Sequence, residues 1–164
     1  QLMSLIDKSI TTHARLFHEN LCVELEIDPM KVIVYKKFPR FLDQPSSTKG
    51  LIFLDENYIL VSFDANKHSL SELLKTVAHE TYHAYQIQKG LIKKIDEEWY
   101  YIDVPIREIN KMPWGLRPYE IEAESYAQRA SSNKRGEQHD ERHARVKSKR
   151  DRKSLKSQAL RSAV

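Results

Sequence analysis

The segment His79-Glu80-Thr81-Tyr82-His83 places two imidazoles four residues apart, with a glutamate directly after the first. On a helix this spacing brings both imidazoles to one face, one turn apart, where they can bind a single zinc ion. Glu80 can then serve as general base toward a water on that ion. The segment therefore predicts metal ligands at His79 and His83 and a catalytic base at Glu80. Since so short a motif also arises by chance, its surroundings have to be tested.

The helix that carries this motif has its apolar side chains on the opposite face. At about 100° per residue, His83 falls close to His79. The residues that fall on the far side by the same count are Leu70, Leu73, Leu74, Val77, Thr81, Ala84 and Tyr85. Such a helix can pack its apolar face against a core and expose both histidines to a cleft. A pair of histidines in the core is disfavoured by this pattern, whereas a chance pair on a solvated face stays open as an alternative.

A third ligand is expected downstream, because catalytic zinc usually has three protein ligands and keeps a fourth position for water. Pro118 suits the first turn of a new helix, and Glu120 and Glu124 share one face of it. Glu122 points about 200° away from Glu120 and cannot share its target. The alternative reading of these glutamates is an ordinary solvated helix face.

The two motifs together resemble the gluzincin group of zinc metallopeptidases, in which H-E-x-x-H is followed by a glutamate ligand on the next helix. That glutamate often stands in an E-x-x-A-[D/N/E] setting, which Glu120-Ile121-Glu122-Ala123-Glu124 matches. The compact layout is also similar to the ImmA/IrrE-type peptidases, whose signature is E-x-x-A-N-x-F-A. Here Glu124 replaces the usual Asn, and the stretch continues Ser125-Tyr126-Ala127.

The resemblance implies a role for each matching residue. Glu120 corresponds to the third ligand of one zinc ion per chain. Glu124 corresponds to a carboxylate that accepts a hydrogen bond from a ligand histidine. The strand before the active helix, here Tyr58–Phe63, is expected to edge the cleft and pair with an extended substrate. An oxyanion-stabilising or substrate-contacting residue is sought among four candidates near the cleft: Tyr100, Tyr101, Arg117 and Tyr119.

The elements around the motifs predict an α+β fold, a minimal zincin-like domain. An N-terminal helix (Leu2–Leu21), a small, mostly antiparallel sheet, the active-site helix and the downstream ligand helix make up this domain. The predicted strands are Lys31–Tyr35, Leu51–Leu54 and Tyr58–Phe63, with a turn at Asp55-Glu56-Asn57 and a further possible strand at Cys22–Ile27. Ser69 and Glu72 have capping-box spacing, and Gly90 is a natural helix stop. Residues 91–117 look irregular, with Trp99 and Trp114 as further candidate substrate contacts.

Charge divides the chain into two parts. Residues 129–164 hold twelve of the 27 Lys and Arg and four of the 23 Asp and Glu, so residues 1–128 hold fifteen and nineteen. We therefore predict a metallopeptidase domain at 1–130 and a basic tail, partly helical or disordered, at 131–164. The tail could contact nucleic acid through phosphates, but it lacks interleaved aromatics, and a solvated charged tail is favoured. His139 and His143 repeat the spacing of the motif without an apolar stripe, so we expect them to be solvated.

Cys22 is the only cysteine, which excludes an intrachain disulfide and favours a reducing, cytoplasmic location. The sequence contains no apolar run long enough to span a membrane. The resulting hypothesis is a zinc metallopeptidase that hydrolyses peptide bonds of a protein substrate, with Glu80 as general base. The alternative is a non-enzymatic zinc-binding module of peptidase-like fold that binds a protein partner or, through its tail, nucleic acid.

Overall fold

A computed structural model describes residues 8–132 of the chain. The chain divides into two units between Ser131 and Ser132, and the first of them contains the elements discussed below as far as Ser131. The predicted helical residues before Lys8, almost all of the predicted tail, and the His139/His143 pair lie outside the described residues.

The fold is α+β and begins with a helix, as predicted. Helix α1 (Lys8–Leu25) precedes three strands, β1 (Lys31–Tyr35), β2 (Gly50–Phe53) and β3 (Tyr58–Ser62). The strand order is β1-β3-β2, with β1 parallel and β2 antiparallel to β3. β3 is therefore the central strand, and the expectation that Tyr58–Phe63 forms the edge was wrong. The edge strands are β1 and β2, because the loop after β1 carries the chain past the central position before β2 begins.

The predicted strand at Cys22–Ile27 is helical up to Leu25. Ala14, His18 and Cys22 are all buried and lie four residues apart, so the helical period continues through the cysteine. The backbone leaves the helix at Glu26, whose φ is 54°.

Helix α2 (Leu70–Gln88) carries the histidine motif and begins with the predicted capping box. The backbone N–H of Glu72 donates to Oγ of Ser69 at 3.2 Å, and the N–H of Ser69 donates to Oε2 of Glu72 at 2.7 Å. Both bonds satisfy N–H groups that the first turn of a helix leaves unpaired. Gly90 follows the end of the helix with a φ of 74°, a conformation that favours glycine.

The main core lies between the β1-β3-β2 sheet and the helices. Ile59 and Val61 of β3 are fully buried, and Phe17 of α1 and Leu73 and Val77 of α2 pack against them. The apolar stripe predicted for α2 is thus its core-facing side, and packing of this stripe fixes the rotation of the helix.

A buried histidine ties α1 to α2. Nε2 of His18 accepts from the backbone N–H of Met30 at 2.9 Å, so the ring proton sits on Nδ1. Nδ1 lies 2.8 Å from Oγ1 of Thr81, whose hydroxyl donates to the carbonyl of Val77 at 2.7 Å. His18 therefore anchors α2 directly beside Glu80.

Residues 91–117, predicted to be irregular, contain a second sheet. β4 (Ile92–Ile95), β5 (Glu98–Tyr101) and β6 (Val104–Pro105) pair antiparallel in that order, followed by the short helix α3 (Ile106–Ile109) and a 3-10 turn at Trp114–Leu116. Helix α4 follows at 118–132. Ile92, Tyr101, Ile109 and Tyr119 form a separate small core that joins this sheet to α4.

Candidate metal centre

Three side chains predicted as metal ligands meet between α2 and the first turn of α4. Nε2 of His79 lies 3.1 Å from Nε2 of His83, and Oε2 of Glu120 lies 3.0 Å and 3.2 Å from these two nitrogens. All three ligand atoms lie within 4.8 Å of one another. Two imidazole nitrogens and one carboxylate oxygen at these distances could hold a metal ion.

The charge state of Glu120 suits a cation. Burial disfavours its carboxylate, but the contacts with the imidazoles of His79 and His83 outweigh burial and lower its pKa to about 2. Burial also disfavours a proton on His83, yet the carboxylates of Glu120 and Glu80 raise its pKa overall. The cluster therefore attracts positive charge, and a metal ion and a proton would compete for His83.

The far side of His79 contacts the carboxylate expected there. Nδ1 of His79 lies 3.4 Å from Oε2 of Glu124, which also forms an ion pair with Lys75. A proton on Nδ1 leaves the lone pair of Nε2 directed at Glu120 and His83, as a metal ligand requires. The indole of Trp114 stacks on the same imidazole, with ring centroids 5.9 Å apart and an interplanar angle of 20°.

His83 is oriented by Gln86, a residue that no sequence motif indicates. Nδ1 of His83 lies 2.8 Å from Oε1 of Gln86, which is fully buried. The amide nitrogen of Gln86 donates to the carbonyl of Tyr119 and to Oε2 of Glu122, both at 3.0 Å. Since both of these partners are acceptors, the amide orientation is fixed and Nδ1 of His83 must be the donor. The signal available in the sequence was a polar residue three positions after His83 on the same helix.

Glu122 points away from the cluster of His79, His83 and Glu120, as the angle of about 200° between Glu120 and Glu122 on a helix predicts. Its Oε1 accepts from the hydroxyl of Tyr101 at 2.7 Å, and its Oε2 binds Gln86. Glu122 therefore connects strand β5 of the second sheet to the amide that holds His83.

Glu80 lies in the wall of the cleft, buried against β2. A Cβ atom placed on Gly50 would clash with Oε1 of Glu80 and would come within 2.7 Å of its Cγ. Burial raises the pKa of Glu80, with a smaller contribution from Glu120, while His83 and His79 act in the opposite direction. A raised pKa makes a carboxylate a stronger base than one in water, which suits a group that accepts and returns a proton.

The cleft in front of the cluster has a volume of about 890 Å³. Besides Glu80 and the three candidate ligands, its lining includes residues 47–52, Glu72, Lys75, Thr76, Trp114 and Glu124. The backbone N–H of Ser62 donates to the carbonyl of Lys49, so Gly50 and Ile52 turn their N–H and C=O groups to the open edge of β2. This edge therefore borders the cleft.

The four candidate oxyanion residues do not reach this cleft. The hydroxyl of Tyr119 donates to Oδ1 of Asn110 at 2.6 Å, and Tyr101 is bound to Glu122. Arg117 donates to the backbone carbonyls of Asn110 and Met112. Tyr100, like Trp99, is on β5, and neither lines the cleft. Tyr101, Tyr119 and Trp99 belong to the small second core, and Tyr100 donates to Glu98. Of the predicted aromatic contacts, Trp114 does lie at the cleft.

No family model, no curated protein and no solved structure matches the chain. Within residues 8–132, the helices all lack the combination of length and apolar character needed to cross a membrane.

Proposed function

We propose that the chain is a zinc-dependent peptidase in which His79, His83 and Glu120 hold the metal and Glu80 is the general base. The observation that carries this proposal is the meeting of three ligand atoms within 4.8 Å of one another, in the cleft that Glu80 also lines. Gln86 and Glu124 add partners for both imidazoles, an arrangement typical of metal-binding histidines.

Zinc at this site would supply Lewis acidity and a water of lowered pKa. Glu80 would take a proton from that water and deliver it to the leaving amine, a transfer that its raised pKa favours. Close contact with Gly50 limits the positions open to the Glu80 carboxylate, so the base is held in place before substrate arrives.

The substrate class proposed is an extended peptide segment. The outward N–H and C=O groups of Gly50 and Ile52 can pair with a peptide backbone along the open edge of β2. Such pairing brings a peptide past Glu80 and the metal ligands with little dependence on its sequence. Trp114, which is 52% exposed, offers an apolar surface to a substrate side chain on the other wall.

The position of Glu80 favours an enzyme over a metal-binding module without activity. A module needs the ligands but no base, and a buried carboxylate costs free energy through lost hydration. Within residues 8–132 Glu80 forms no ion pair with Lys or Arg that would offset this cost. A role as general base would account for a carboxylate in this unfavourable position.

The test is peptide hydrolysis by the zinc-loaded full chain on a diverse peptide mixture, with cleavage sites identified by mass spectrometry. We expect cleavage by the wild type, loss of cleavage with chelator, and recovery on adding zinc. Glu80→Gln should bind zinc at one ion per chain without hydrolysis, whereas Glu24→Gln, at an exposed position on α1, should behave as wild type. Full activity in Glu80→Gln, or wild-type cleavage unaffected by chelator, would refute the proposed mechanism.

We also infer a reducing compartment, in keeping with cytoplasmic function. Cys22 is a free thiol, and reducing compartments are where thiols persist without disulfide partners. Fractionation of cells that produce the tagged chain tests this inference.

A further inference from the structure

Strand β1 presents a second open edge, on the far side of the sheet from the cleft. The backbone N–H of Lys31 donates to the carbonyl of Asn57 at 3.0 Å, and the N–H of Phe63 donates to the carbonyl of Tyr35 at 2.7 Å. Because a parallel ladder uses alternate residues, the N–H and C=O groups of Val32 and Val34 point outward. Within residues 8–132 these outward groups form no hydrogen bond.

A groove of about 910 Å³ runs along this edge and is strongly basic. Four lysines line it, against a single carboxylate at Asp64, which accepts from the backbone N–H of Asn66. Among the described residues, the lysines that form ion pairs lie elsewhere, at Lys75, Lys93, Lys94 and Lys111. The four lysines of the groove are Lys31, Lys36, Lys37 and Lys67. Their positive charges are therefore not neutralised by ion pairs within the described part of the chain.

We propose that this groove binds an extended acidic segment of a partner protein, which adds to β1 as a further strand. The outward groups of Val32 and Val34 are both donors and acceptors, and a peptide backbone can satisfy both kinds. Phosphate oxygens of a nucleic acid only accept hydrogen bonds, so they would leave the outward carbonyls unpaired. The lysines select acidic side chains by charge.

This second docking edge is independent of the metal and of peptide hydrolysis. The β1 groove and the cleft border opposite edges of one sheet, and Thr48 is the one residue that lines both. A partner in the groove can therefore stay bound while a substrate occupies the cleft. Failure of the peptidase proposal would leave this inference intact, and the reverse also holds.

The test uses the full chain with Glu80→Gln, to prevent turnover, and a capped eight-residue peptide of alternating Glu and Val. Amide hydrogen exchange, read by NMR, should slow at Val32 and Val34 by at least about tenfold on saturation with the peptide. Protection at Gly50 and Ile52 would report peptide in the cleft, so the two edges are read separately in the same experiment. Reading individual amides also separates the groove from the basic residues after position 132, which attract an acidic peptide by charge alone.

Charge reversal supplies the second measurement. Lys36→Glu/Lys37→Glu should weaken binding of the acidic peptide by about tenfold or more at low salt. The matched control, Lys93→Glu/Lys94→Glu, reverses two charges outside the groove and should leave binding near the wild-type value. The proposal is overturned if protection appears at Gly50 and Ile52 instead, if no protection appears at Val32 and Val34, or if an alternating Lys and Val peptide binds equally well.

Discussion

Nδ1 of His83 and Oε1 of Gln86 lie 2.8 Å apart in the interior of the protein. The other hydrogen bonds of the Gln86 amide require that Nδ1 of His83 is the donor in this contact. Because Gln86 donates to the carbonyl of Tyr119 and to Glu122, it can only accept from His83. The neutral imidazole is therefore held in the tautomer whose Nε2 lone pair faces His79 and Glu120.

Gln86→Leu should weaken zinc binding by about 10- to 100-fold, the usual effect of removing a partner that orients a ligand. Competition with a chromophoric chelator measures the affinity, and absorption of the cobalt-substituted protein reports the geometry around the ion. The double variant Gln86→Glu/Glu122→Gln exchanges acceptor and donor across the same contact and should recover part of the loss. A Gln86→Leu protein with wild-type affinity and spectrum would exclude this positioning role.

Glu120 and Glu122 form a matched pair for testing the ligand assignment. Glu120→Gln removes a carboxylate that contacts both imidazoles, so the purified chain should contain far less than one zinc ion after dialysis. Glu122→Gln changes only the contacts with Gln86 and Tyr101, so zinc should still bind at one ion per chain, with lower affinity. Metal analysis decides between them, and the opposite pattern would show that Glu122 is the ligand.

Gly50→Ala should separate catalysis from metal binding. The added Cβ would lie within 2.7 Å of Cγ of Glu80, so the base must move although its neighbours His79 and His83 need not. A displacement near 1 Å can cost about 100-fold in rate, and we expect a loss of that order in kcat with zinc content unchanged. Gly115→Ala is the control, because a Cβ there meets nothing within 4 Å. Equal activity of the two variants would contradict this role for Gly50.

His18 should make the protein sensitive to acid. Burial lowers the pKa of His18 from 6.5 to about 4, with a smaller opposing effect of Glu19. Between these values the unfolded chain binds a proton that the folded chain does not, so His18 favours the folded state fully above pH 6.5 and progressively less toward pH 4. The shift corresponds to about 3 kcal/mol of unfolding free energy.

Denaturant unfolding from pH 7.5 to 4, with chelator present throughout, measures this effect. His18→Gln should be less stable at neutral pH but should lose less of its stability on acidification than the wild type. His13→Gln, at an exposed position on the same helix, should keep the wild-type pH dependence. Parallel pH profiles for the wild type and His18→Gln would contradict the assignment.

The α+β class, helix α2 with its capping box and the start of α4 could be predicted from the sequence, because each rests on local spacing. The meeting of His79, His83 and Glu120 also followed the expected helical geometry. The second sheet was missed because its turns place non-glycine residues at positive φ, among them Asp96, Glu97, Ile102 and Asp103. Without the Asn-Gly or Gly-rich pairs typical of tight hairpins, these turns give no local signal.

Other features depend on contacts between distant parts of the chain. The order β1-β3-β2 cannot be deduced from strand patterns, so the wrong strand was expected at the edge. The roles of Gln86 and Gly50 follow from α4 and β2 packing against α2, which no spacing within one helix reveals. Trp99 and Tyr101 of β5 looked like cleft residues for the same reason, although they belong to a separate core.

Position 50 gives a criterion for interpreting the sequences of relatives of this chain. The fold needs only a strand residue there, whereas the buried carboxylate of Glu80 needs the absence of a side chain. A relative with its histidines and glutamates intact but a larger residue at this position would be expected to have kept the metal and given up hydrolysis. Glycine retained at this position would instead mark selection for turnover.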